Sequence, residues 1–234
     1  MLLLSRVLAA AERGVRVRIL VDDLLFSEDE FRLAAICHHP NVEIRMFNPQ
    51  FVRGGGIPAK LEILARFGQL NRRMHNKAFI VDNQLALMGG RNIGNEYFGL
   101  SEEFNFVDLD VLTVGPIVAK ASESFDRFWN SDLSHPGEAF SKETGPDATA
   151  EVIAEIHRWV REEEGILASS PFPKQRSSWS SRWYRLAGQW HPGAATLIDD
   201  APTRAEDRIE GRFFEKALFR AFLAQNARER RNLS

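Results

Sequence analysis

Residues 74–98 read MHNKAFIVDNQLALMGGRNIGNEYF, and this stretch decides the fold. Two short apolar runs, about 77–82 and 84–88, meet at Asp82 and Asn83, a pair suited to a tight hairpin turn. Gly89 and Gly90 follow the second run, and the pattern beyond them predicts a helix near 92–99. Within this frame His75, Lys77 and Asp82 are spaced as HxKxxxxD, with Gly89, Gly90 and Asn92 following as GGxN. Only six lysines occur in the chain, so HxKxxxxD arises by chance in roughly one chain of this composition in a hundred. With Gly89 and Asn92 added the figure is on the order of one in ten thousand.

The residue types suit one anion. In an extended segment His75 and Lys77, two positions apart, project to the same side, where a phosphate meets an imidazole nitrogen and an ammonium together. Gly89 and Gly90 allow close approach of backbone, and Asn92 stands where the predicted helix begins, so its amide and the helix N-terminus add donors. This is a phosphate cradle that calls for no metal and no cofactor. A neutral imidazole can attack phosphorus to form a covalent phosphohistidine, while Lys77 offsets transition-state charge. Asp82 serves either the chemistry or the turn it makes with Asn83.

Outward from the motif the pattern is α/β. A helix over about 2–13 ends at Gly14 and feeds a strand through Val15, Val17, Ile19 and Leu20; a helix over 28–37 feeds a second strand through Val42, Ile44 and Met46. A link at Gly54, Gly55 and Gly56 precedes a helix near 58–67. After the motif, Val107, Leu109, Val111 and Thr113 alternate as a strand, and Pro116 opens a helix to about Asn130. Helix–strand alternation predicts a mixed, largely parallel sheet flanked by helices. The composition changes at SDLSHPGEAFSKETGPD, which sets a catalytic lobe at 1–131 and a linker with a mostly helical and irregular extension at 132–234. That extension holds a charged helix near 148–164, a loop-like stretch from Ser169 to Pro192 bearing Trp179, Trp183 and Trp190, a short strand at 195–197 and an apolar, Arg-tipped helix near 205–230.

Composition excludes several classes. With 234 residues, 44% hydrophobic and 26% charged, the chain is neither disordered nor fibrous. Cys37 is the single cysteine, which rules out an intrachain disulfide and a Cys-built metal site and fits a reducing compartment. A formal net charge of −2 gives no global basic field for nucleic acid; Arg53, Arg66, Arg72 and Arg73 make only a local basic cluster. No run approaches the ~18 apolar residues of a membrane span. The opening MLLLSRVLAAAERG breaks at Ser5 and Arg6 and reads as an amphipathic helix rather than a targeting segment.

The motif carries a resemblance. RMHNKAFIVDNQLALMGGRNIGNEYFG is similar to the catalytic motif of the phospholipase D superfamily, and RGVRVRILVDD, RMFNP and VDLDVLTVGP resemble its bacterial cardiolipin synthase branch, the type C synthases in particular, over about residues 5–130. The resemblance implies a metal-free enzyme that moves a phosphatidyl group between phospholipid alcohols through a covalent histidine. It makes His75 the nucleophile, gives phosphate to Lys77 and Asn92, and has Asp82 support the motif. It also places an acid near the start of the strand after the motif, so Asp108, or Asp110 two residues on, is expected to accept a hydrogen bond from the His75 ring and fix its tautomer.

There are three departures. Gly90 stands where many members have Ser, and Asn95 where this branch usually has Asp. Family sites also combine two motifs, the second His protonating the leaving alcohol, yet His38, His39, His135, His157 and His191 all lack a Lys two residues later. The expectation is therefore one catalytic half of a two-motif enzyme, completed by a missing second lobe or by a second copy of the chain. A homodimeric phosphodiesterase or nuclease and an inactive lipid-binding fragment are the alternatives. The partners expected are a phospholipid and an anionic membrane surface rather than nucleic acid, with the chain cytoplasmic and peripheral to the inner membrane.

Overall fold

A computed structural model of the chain describes residues 2–22, 36–50, 73–140, 146–162, 176–199 and 202. Helix α1 (Leu2–Glu12) leads to β1 (Val17–Asp22) and β2 (Val42–Phe47); the motif segment supplies β3 (Lys77–Val81), β4 (Leu85–Gly89) and β5 (Asp110–Val114). Then come α2 (Pro116–Trp129), β6 (Ser134–Pro136), α3 (Pro146–Glu162) and α4 (Arg176–Ala187). The strands form two three-stranded sheets, in the orders β1-β2-β6 and β3-β4-β5. The fold is α/β, with small sheets flanked by helices.

Two compact units divide the chain. The described parts of the first are residues 2–20, 36–45, 136–140, 146–162 and 176–194; those of the second are 21–22, 46–50, 73–135, 195–199 and 202. In the first unit, α1 ends as Gly14 predicts. Gly14 takes φ 91°, its N–H donates to Ala11 O at 2.9 Å, and the Val15 N–H donates to Ala10 O at 3.1 Å. This is the left-handed cap that a Cβ would strain. Leu8 and Ala11 of α1 pack with Ile36, Cys37, Val42, Ile44, and with Val152 and Ile156 of α3. Burial pushes the Cys37 thiol up to about 12, with Glu138 adding to the effect, so it stays protonated.

In the second unit the register of the motif sheet sets which residues share a face. Lys77 pairs with Gly89 and Gly89 with Asp110, while Ile80 pairs with Ala86 and Ala86 with Thr113. Alternation then sends Ile80, Ala86 and Met88 to one face, where they pack on Val118 and Ala121 of α2 together with Leu197. The opposite face carries Lys77, Phe79, Val81, Leu87, Asp110 and Val114, and among these Phe79, Val81, Leu87 and Val114 are exposed.

Several expectations change. The hairpin expected at Asp82 and Asn83 forms, with β3 and β4 antiparallel, but β5 also pairs antiparallel with β4, so the motif sheet is not the largely parallel one expected. The helix expected near 92–99 is reduced to a 3-10 turn, Asn95–Tyr97: Gly94 is extended at φ −154° and Gly99 takes φ 71°, which bound the turn on both sides. The strand expected from Val107 begins at Asp110, leaving Val107 and Leu109 exposed. Residues 195–197 form no strand, although Leu197 packs on the α2 cluster. Part of the Trp-bearing stretch read as loop is helix α4. The helices expected near 58–67 and 205–230, most of 28–37, and the Gly54–Gly56 link lie outside the described residues.

Candidate active site

The hairpin has an open end and a closed end. At the closed end the Gln84 N–H donates to Val81 O at 2.9 Å, and both central residues of the turn, Asp82 and Asn83, take left-handed φ values of 51° and 54°. Asp and Asn tolerate that conformation better than other residues bearing a Cβ. Asp82 is therefore separated from Lys77 by five residue steps, about 16 Å at the usual strand rise. From there it shapes the hairpin turn.

The open end gathers the other charged residues. Asp22 anchors the segment entering β3: it pairs with Arg73 at 3.2 Å and accepts the Met74 N–H at 2.8 Å. His75 is exposed, and the Lys77 ammonium turns back to donate to the His75 carbonyl at 3.0 Å. Lys77 is half-buried, and desolvation lowers its pKa below the ordinary lysine value of 10.5; the carboxylates of Asp108 and Asp22 pull the other way. A charge so placed is screened by water less than that of a fully exposed lysine.

Gly89 lies between Lys77 and Asp110 in the cross-strand row, and its lack of a side chain is a packing requirement. A Cβ there would stand 2.5 Å from Leu109 O and 2.8 Å from Asp110 Cα, both backbone atoms that cannot move aside cheaply. At Gly90 a Cβ would meet the Asp108 carboxylate, its Cγ at 2.9 Å. Asp108 occupies the space over Gly90, which is a physical reason for Gly in place of Ser at this position. Asp108 Oδ1 also accepts the Leu109 N–H at 3.2 Å, and Asp110 Oδ2 accepts Arg91 Nε at 2.6 Å. Among the described residues no hydrogen bond joins the His75 ring to either carboxylate, so the expected tautomer-fixing contact is not made. Asp108 acts electrostatically on Lys77 instead.

Sequence reasoning passed over Arg91 and Tyr97. Arg91 donates to Asp110, to the Tyr97 carbonyl and, at 3.3 Å, to the Asp108 carbonyl, and its guanidinium lies 5.6 Å from the centroid of the Phe98 ring. One side chain thereby ties the start of β5 to the loop after β4. The Asn92 amide donates to the Tyr97 hydroxyl at 2.8 Å, and the Tyr97 ring packs on Phe106 with centroids 4.9 Å apart. Asn92 is half-buried and is oriented by a phenol rather than by a helix start. One amide hydrogen remains for an anion, and the Tyr97 O–H, accepting from Asn92, keeps its own proton to donate. The only sequence signal was the pair of acids downstream, Asp108 and Asp110, able to take an arginine partner. Among the described residues no group of three or more His, Cys, Asp or Glu is placed to hold a metal ion.

The α/β fold, with small sheets flanked by helices, agrees with a phospholipase D-like lobe. Residues 2–129 match the family described as cardiolipin synthase, phospholipase D-like domain, and the chain belongs to that family. It is 42% identical over 180 residues to cardiolipin synthase C of Escherichia coli, covering 73% of this chain and 36% of that protein. An uncharacterized protein of Helicobacter pylori is 35% identical over 219 residues, 92% of this chain and 43% of that one. A cardiolipin synthase of Staphylococcus aureus is 28% identical over 145 residues, with 60% and 26% covered. The chain thus spans less than half the length of these relatives.

Two outcomes test this geometry. Because burial lowers the Lys77 pKa, the free chain loses this proton below pH 10.5; affinity for inorganic phosphate, titrated by NMR, should weaken as pH rises through that depressed pKa, and Lys77→Arg should move the fall to higher pH. Tyr97→Phe removes the acceptor of the Asn92 amide while keeping the ring that packs on Phe106. Phosphate affinity should fall about fivefold, the worth of one hydrogen bond, and Tyr97→Phe should add almost nothing in an Asn92→Ala background.

Proposed function

We propose that the chain is the first catalytic lobe, residues 1–131, of a phosphatidyltransferase or phosphodiesterase acting on phospholipids in the manner of a cardiolipin synthase. The observation that supports this most is a half-buried Lys77, its ammonium on the His75 carbonyl, beside the exposed His75 at the open end of a glycine-lined hairpin in a chain of this family. In the first half-reaction an imidazole nitrogen of His75 attacks phosphorus. The bond from phosphorus to the departing alcohol breaks, and that oxygen takes a proton from an acid. In the second, the acceptor alcohol attacks the phosphohistidine, gives up its proton and releases the imidazole. Lys77 and Asn92 offset the charge that builds on the non-bridging oxygens.

One imidazole fills one role in each half-reaction, so the acid must come from elsewhere. We assign it to a second motif, on a second lobe or a second copy of the chain. The exposed apolar face of the motif sheet, with Phe79, Val81, Leu87 and Val114 beside Lys77, supports such a meeting, since a patch of this kind is seldom left to water. The chain would work at the cytoplasmic side of an anionic inner membrane, as a peripheral protein; no described helix is long and apolar enough to cross one.

The test compares the purified chain, His75→Ala and Lys77→Ala, each alone and with a separately expressed second lobe, on phosphatidylglycerol vesicles with cardiolipin as the product. Little transfer is expected from monomer, restoration with the second lobe, loss of that restored activity in His75→Ala, and a fall of about 10²–10³ in Lys77→Ala. Robust turnover by a monomer, unchanged in His75→Ala, would overturn the reading.

A further inference from the structure

Helix α4 is not used by the chemistry above, and its side chains are unusual. No Asp or Glu occurs between Glu164 and Asp199, while Lys174, Arg176, Arg182 and Arg185 fall within that span of a chain whose net charge is −2. Trp179, Trp183 and Leu186 sit at i, i+4 and i+7 and therefore share one face of the helix. All three are exposed, at 43%, 45% and 46%. Trp190, just past the helix end, meets Trp183 edge to face with centroids 6.4 Å apart, which extends the same stripe. Arg182 lies 5.7 Å from the Trp179 ring centroid, and Tyr184 and Arg185 are exposed beside it. The helix closes cleanly, with the Gly188 N–H donating to Tyr184 O at 3.1 Å and the Gln189 N–H to Leu186 O at 2.8 Å.

We propose that α4 is an interfacial helix whose Trp179, Trp183 and Leu186 stripe enters the headgroup region of an anionic bilayer, with Arg182 and Arg185 on the lipid phosphates. Indole rings suit the membrane–water boundary, having an apolar body and a polar N–H. Arginine beside them supplies charge complementary to anionic lipid and keeps its donors at the surface. The helix is twelve residues long, about 18 Å, so it lies in the interface and does not span the ~30 Å core. Tryptophan and arginine can also stack on and neutralise a single nucleic-acid strand. The lipid is favoured because Leu186 continues the stripe without offering a stacking face, and because the chain as a whole is slightly acidic. This inference rests on the peripheral-membrane reading above and names the element that makes the contact; it does not depend on the catalytic role of His75.

The experiment uses the full chain with vesicles of mixed phosphatidylglycerol and phosphatidylcholine, vesicles of phosphatidylcholine alone, and a single-stranded oligonucleotide. Binding is followed by co-sedimentation, and depth by quenching of tryptophan emission with acyl-brominated lipid. Expected are binding to the anionic vesicles, a blue shift with quenching, and weaker binding as salt rises. Arg185→Gln should lower affinity about fivefold and Arg182→Gln a similar factor further. Trp179→Ser with Trp183→Ser should abolish most of the quenching. Should the tryptophan variant fail to fold by circular dichroism, the arginine variants and the quenching in the unaltered chain still decide. Anionic-vesicle binding that is absent, or unchanged in the arginine variants, would overturn the proposal, as would an oligonucleotide that shifts the emission where vesicles do not.

Discussion

The cross-strand row of Lys77, Gly89 and Asp110 is the constraint on which the candidate site depends. It exists because the left-handed turn at Asp82 and Asn83 fixes the hairpin register, and a slip of one residue would send Lys77 to the face packed on α2. Gly89 in the middle of the row is the one residue type that admits the Asp110 side chain and the Leu109 carbonyl together. Position and electrostatics are therefore set by the same pairing. Lys77 is held at the open end next to His75, where burial lowers its pKa and the acids Asp108 and Asp22 oppose that shift.

That balance bears on how the proposed site would hold a phosphate. A lysine in water binds an anion weakly because both ions are well hydrated; a half-buried lysine, whose charged form burial disfavours and Asp108 and Asp22 favour, has met part of that cost before the ligand arrives. The two carboxylates must remain at a distance that supports the ammonium without neutralising it. Arg91 contributes here by engaging Asp110 at 2.6 Å and the Asp108 carbonyl at 3.3 Å, which restrains both residues next to the glycines.

Much of this was legible in the sequence, and the reason is locality. His75, Lys77, Gly89 and Gly90 are organised by a hairpin whose turn residues are visible in the chain, so spacing alone brings them together. Asn92 was found for a reason that fails: no helix starts there, and its orientation comes from Tyr97, whose place depends on Gly94 and Gly99 rather than on any periodic pattern. Arg91 and Asp110 meet only once β5 has paired with β4, a non-local event that spacing does not report. The antiparallel hairpin was legible in its turn residues, whereas the antiparallel pairing of β5 on β4 was not, because alternating helices and strands suggest crossovers. In the Trp-bearing stretch, Ser and Pro suggested a loop, but the prolines at 171, 173 and 192 lie outside residues 176–187, which contain neither Pro nor Gly and are free to be helical.

The central claim is that His75 is the nucleophile of a phosphate site at the open end of the hairpin. A phosphodiester whose leaving group departs without protonation, such as bis(p-nitrophenyl) phosphate, tests it in the chain alone, since no second acid is then required. The chain is mixed with this ester, quenched in alkali to preserve phosphohistidine, digested and analysed by mass spectrometry. The account predicts a phosphoryl ester adduct on the peptide carrying His75, absent in His75→Ala and reduced in Lys77→Ala. An adduct on another residue, or one that persists in His75→Ala, would contradict it.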